Sequence, residues 1–158
     1  MKMNTKIALV LGVAAMTVMS AVAAPHGAGT DTLHFGIKTA LTDTGVEPGS
    51  AGTVSANEIR NHGVISNQKL DVTVSGLTSN TTYSVVATTG SGTTDLASLT
   101  TDNNGRGAVH LHTAGRGGGT NSSSFPDGFE LAQVTELDVA NGSSQNVLTT
   151  SGNTPTSV

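Results

Sequence analysis

The chain has 158 residues, with seven basic and 11 acidic side chains, a formal net charge of −4 at pH 7, and neither cysteine nor tryptophan. The acidic balance excludes the clustered positive surface that nucleic acid or an anionic membrane demands, and the missing cysteine excludes disulfide staples and a lipidated amino-terminal cysteine. Phe35, Tyr83, Phe125 and Phe129 are the only aromatic residues, so a stacking platform for a sugar ring is nearly absent.

Residues Met1 to Ala24 read as an export address. Lys2 and Lys6 form a positive head, the run from Ile7 to Ser20 is uncharged and mostly apolar, and Ala21-Val22-Ala23 places small residues at signal-peptidase spacing. The expected organisation is a signal peptide over 1–23, a flexible tail over 24–30, one β domain over 31–150 and a frayed tail over 151–158. This predicts a secreted, periplasmic or extracellular protein. No later apolar run approaches the roughly 20 residues that cross a bilayer. His26 would follow the cut as a third residue, but Pro25 has no amide proton to lose, so an amino-terminal Cu²⁺ square cannot close there.

Strong helix formers are rare after the leader, whereas Thr and Val abound, which favours strands joined by Gly and Asn turns. Thr32 to Thr42 alternates, with Leu33, Phe35 and Ile37 predicted inward. Asp43 to Gly52 collects Gly, Pro and Ser and predicts a loop. From Val54 to Ile65 two short strands flank Asn61-His62-Gly63, with a brief helix over Ala56 to Arg60 as the competing reading. Leu70, Val72 and Val74 alternate with Asp71, Thr73 and Ser75 and give the clearest strand of the chain.

Gly76-Leu77 is followed by a short polar turn and Tyr83, after which Val85 and Ala87 continue the alternation. This stretch resembles the strand-to-strand corner of immunoglobulin-like and fibronectin type III domains. The resemblance implies that the Tyr83 hydroxyl folds back onto nearby backbone while its ring packs inside beside Leu77. A generic hairpin with a Tyr at its base accounts for the same letters.

Thr93 to Thr100 predicts a strand with Leu96 and Leu99, and Asp102-Asn103-Asn104-Gly105 a hairpin turn. The same string opens like a calcium loop, yet Arg106 and Thr113 occupy later ligand positions. Val109 and Leu111 point inward, which leaves His110 and His112 together outside. Gly115 to Ser124 has no apolar anchor and predicts a mobile loop. Phe125-Pro126-Asp127-Gly128-Phe129 forms a turn that brings two rings together; Leu131 to Val139 and Gln145 to Thr150 flank an Asn141-Gly142 reversal. Seven or eight short strands at this spacing predict an all-β fold, a single antiparallel β-sandwich of immunoglobulin-like or jelly-roll type.

His110-x-His112 is the sharpest chemical feature. Two residues apart on a strand, both imidazoles leave one face about 7 Å apart at the backbone, within reach of one Zn²⁺ or Cu²⁺. His34 is the candidate third ligand. Over those residues the pattern is similar to the His-x-His strand of copper/zinc superoxide dismutase. Solvation of both histidines on a surface strand is the simpler reading, because a third ligand is not in sequence reach. No Gly-x-Ser-x-Gly elbow or P-loop lysine occurs, while any pairing of carboxylates in space is invisible to sequence. Asn80-Thr81-Thr82, Asn121-Ser122-Ser123 and Asn141-Gly142-Ser143 match the glycosylation sequon.

The reading that follows is a noncatalytic, cofactor-free exported protein, structural, adhesive or binding, which meets protein or surface polysaccharide and self-associates through edge strands. The alternative is a periplasmic Cu or Zn protein built on His110, His112 and His34.

Overall fold

The computed structural model describes residues 32–113 and 122–150. The expected leader over 1–23, the tails over 24–30 and 151–158, His26 and Gly115 to Asn121 lie outside the described residues. The strands are β1 (Thr32–Asp43), β2 (Ala51–Asn61), β3 (Val64–Ser75), β4 (Thr82–Thr89), β5 (Gly92–Thr100), β6 (Gly107–His112), β7 (Ser122–Ser124), β8 (Val134–Ala140) and β9 (Asn146–Thr149). A 3₁₀ turn, Leu131–Gln133, precedes β8.

The chain is all-β, with no α-helix among the described residues. Among the described residues nine strands form one mixed sheet, β5-β4-β8-β9-β1-β2-β3-β6-β7, nearly closed into a barrel. The helical alternative for Ala56 to Arg60 yields to β2, because Val54, Ala56 and Glu58 alternate inward along an extended chain. The β2–β3 reversal is a two-residue turn in which His62 (φ 52) and Gly63 (φ 77) both take positive φ, the geometry that matches strand twist.

Most of the predicted core is buried: Phe35, Leu70, Val72, Val74, Leu77, Tyr83, Val85, Leu99, Val109, Leu111, Leu137 and Val139. Ile37 packs against this cluster at its rim. Each fully buried aliphatic side chain contributes about 1.5–3 kcal/mol, so Leu70→Ala at the centre costs about 2–5 kcal/mol. Leu33 is a correction. It is 55% exposed, because the first three residues of β1 run beyond the core on the tip of the β2–β3 hairpin.

Leu96 and Leu99 stand three apart on β5, yet both are buried. A bulge reconciles them: Val85 faces Ala97 and Val86 faces Asp95, so Leu96 is the extra residue that turns the strand. Two further differences concern connections. Ser122 to Ser124, expected within a mobile loop, pair in parallel with β6. Asp102 to Gly105 reverses the chain as predicted, but β5 and β6 are not sheet neighbours, so no hairpin forms. The turn instead docks on the preceding corner, where Gly105 (φ 69) lies against Leu77 so closely that a Cβ would sit 2.0 Å from its carbonyl oxygen.

At that corner Tyr83, 1% exposed, accepts the Thr78 N–H at 3.1 Å and donates to the Glu47 carboxylate at 2.8 Å. Burial first, and Glu47 second, push the phenol above its ordinary range.

Candidate functional site

β6 presents His110 and His112 on the outer face, opposite Asp71 and Lys69 of β3 in the antiparallel register. His110 Nδ1 meets Asp71 Oδ1 at 2.7 Å, and Lys69 Nζ meets Asp71 Oδ2 at 2.8 Å. Partial burial pushes the Asp71 carboxyl up, but the bonds from Lys69 and His110 outweigh it and hold the group below its ordinary range. This contact occupies Nδ1 of His110.

His34 does not join them. It lies on β1, opposite Ile59, and β2 and β3 separate that strand from β6. Three strand spacings place it about 14 Å away across the sheet, too far for one ion. Among the described residues no group of three or more His, Cys, Asp or Glu side chains converges as a metal site. The calcium-like string is likewise consumed internally: Asp102 Oδ1 accepts the Asn104 and Arg106 amides at 2.8 and 2.9 Å, and those bonds, Arg106 first, hold its carboxyl low.

The second polar constellation is inside the barrel. Glu58 on β2 faces Gln68 on β3, and the two are 1% and 4% exposed. Glu58 Oε1 receives Arg60 Nε at 2.5 Å, while Oε2 receives Gln68 Nε2 at 2.9 Å and the Ala132 amide at 3.2 Å. Arg60 Nη2 continues to Glu130 Oε2 at 2.8 Å, and Gln68 Nε2 also donates to the Phe129 carbonyl at 2.9 Å. The Arg60 bond first lowers the Glu130 carboxyl, and the Glu130 bond first raises the Arg60 guanidinium.

This network straps residues 129–133 across one end of the barrel. Beside it Phe125 and Phe129 stack at 5.6 Å, as their turn predicted. The signal for it was present: the inward alternation Val54, Ala56 continues to Glu58, and Leu70, Val72, Val74 extends backward to Gln68. An open cleft of about 310 Å³ adjoins the cluster, lined by Leu33, His34, Phe35, Arg60, Glu130 and Gln133. Arg60 thus links the carboxylates of Glu58 and Glu130. Each is engaged by a basic partner, so neither is left as a spare acid for proton transfer.

Of the three sequons, Asn80 stands exposed at a turn, whereas Asn141 Oδ1 accepts the Ser143 and Gln145 amides and is tied into its own reversal. Asn121 lies outside the described residues. No known protein family, curated protein or solved structure matches this chain.

Proposed function

We propose that the chain is an exported, noncatalytic β-sandwich module that works by contact at the cell exterior, as a structural or adhesive component that self-associates. In this reading two curved half-sheets, β5-β4-β8-β9 and β1-β2-β3-β6-β7, pack as the layers of an immunoglobulin-like or jelly-roll sandwich, and the amino-terminal address delivers it outside the cell. The observation that carries the proposal is the terminal strand β5. It is nine residues long (GTTDLASLT), with one acid and no Lys, Arg or Pro to discourage a further strand. The opposite end of the sheet is only the three-residue β7. The exposed backbone of β5 suits main-chain pairing with a second copy or a protein segment, and its Thr and Ser hydroxyls suit hydrogen bonding to a polysaccharide.

Light scattering and electron microscopy on the purified exported chain test this. Concentration-dependent assemblies that Ser98→Pro suppresses are the expected result, and a strict monomer at high concentration overturns self-association.

One observation favours a second reading, a surface Cu²⁺ or Zn²⁺ site on His110 and His112. Carboxylate contact at one imidazole nitrogen is how metal-binding histidines are commonly oriented, and Asp71 makes that contact with His110. Lys69, opposite His112, opposes it by charge. Metal titration of the native chain and of His110→Ala separates the readings: equal, weak uptake by both ends the metal proposal.

A further inference from the structure

The two halves of the sheet join at a narrow seam. β9 pairs with β1 only through Thr42 and Asp43, and with β8 through Asp138, Val139 and Ala140. Thr42, Thr149 and Asp138 form one row across that seam.

Asp138 alternates with the core residues Leu137 and Val139 and therefore points to the outer face, yet it is only 5% exposed. Its Oδ2 accepts Asn146 Nδ2 at 2.8 Å, and its Oδ1 has no hydrogen-bond partner among the described residues. The groups around it are few. On β8 the same face carries Glu136, whose Oε1 accepts the Thr149 hydroxyl at 2.9 Å. On β4 it carries Ser84, Val86 and Thr88, with Val86 directly opposite Asp138; β9 adds Asn146 and Thr149, and β1 adds Thr42. Glu136 is the one charged side chain in this set, and no ion pair among the described residues includes either carboxylate. A buried charge facing a like charge is a state that uptake of a proton relieves.

We propose that Asp138 is a proton-binding site that sets how firmly β8 and β9 hold the two halves of the sheet together. Protonated, it lies neutral in the closed seam; when it releases its proton to solvent, the charge faces Glu136 and the seam loosens. Burial first, then Glu136, hold its carboxyl above the ordinary range against the bonds of Thr149 and Asn146. The sign follows: the folded state binds this proton more tightly than the open one. The stabilisation is complete at pH below the open-state value, declines as pH rises through the folded value, and stays lost above it.

Hydrogen exchange of the Val147, Leu148 and Thr149 amides in the full chain, corrected for intrinsic rates between about pH 4 and pH 8, reads this opening. The native chain is expected to open about tenfold more for each pH unit separating the folded and open values, whereas Asp138→Asn is flat and β2–β3 amides do not respond. Identical pH dependence in the native chain and Asp138→Asn overturns the proposal. So does slower seam exchange with Ca²⁺ at neutral pH in the native chain alone, which would make the site a cation site. Carboxyl-carbon titration gives an independent readout on the native chain and on Glu136→Gln. An Asp138 midpoint in the ordinary Asp range overturns the proposal, and a midpoint that falls on removing the Glu136 charge supports it.

Discussion

Glu58 and Asp71 are both carboxylates gripped by nitrogen donors from their own and a neighbouring strand, one inside the barrel and one on its outer wall. Glu58 takes Arg60, Gln68 and a backbone amide with almost no exposure; Asp71 takes Lys69 and His110, whose side chains are 50% and 43% exposed. The chemistry of the partners is similar, and the surroundings differ. Water can replace either partner of Asp71 at little cost, but nothing replaces Arg60 or Gln68 around Glu58. Burial rather than the number of bonds therefore decides which cluster the fold depends on.

The largest effect expected is for Glu58→Ala, which takes the carboxylate acceptor from Gln68, the Ala132 amide and one side of Arg60, and costs about 1–3 kcal/mol in urea or thermal unfolding. A loss under about 1 kcal/mol would erase the distinction between the two clusters. Acid sharpens it further. Glu130 is held below its ordinary range by the Arg60 bond, so its contribution is complete above the unfolded-state value and is lost as pH falls through the folded value. Arg60→Gln removes that shift, and its unfolding free energy is expected to decline less than that of the native chain over the acid range. Equal acid slopes would separate Arg60 from Glu130. The smallest effect belongs to the wall: His110→Ala should change stability by about 0.5 kcal/mol or less, shrinking further in high salt, as paired melts at two ionic strengths would show.

The alternation of Leu70, Val72 and Val74 and of Val109 and Leu111 was enough to fix faces as well as strands, since period-two patterning has one physical reading. Two features broke it. The bulge at Leu96 moves a side chain from one face to the other without any mark in composition, and Leu33 keeps the pattern but sits where the strand outruns the core. The polar interior was hidden for another reason. Glu58 reads as a wet position only when its partners are unknown, and Glu130 comes from a distant segment that no local pattern connects to β2. His34 failed as a companion to His110 because facing direction is legible in a strand but lateral order in the sheet is not. Asp138 is the converse: alternation places it outside correctly, while the enclosure by Val86 and Thr149 depends on which strands flank β8.

The pairing of Thr42 and Asp43 with Thr149 and Leu148 unites the first strand with the ninth. Neighbouring strands such as β1, β2 and β3 can zip together as soon as they leave the ribosome, but their clasp to the other half must wait until β9 has emerged. Such a late, long-range contact makes ring completion slow relative to hairpin formation. During that interval the half-built sheet offers the docking place of β9 to any extended chain nearby.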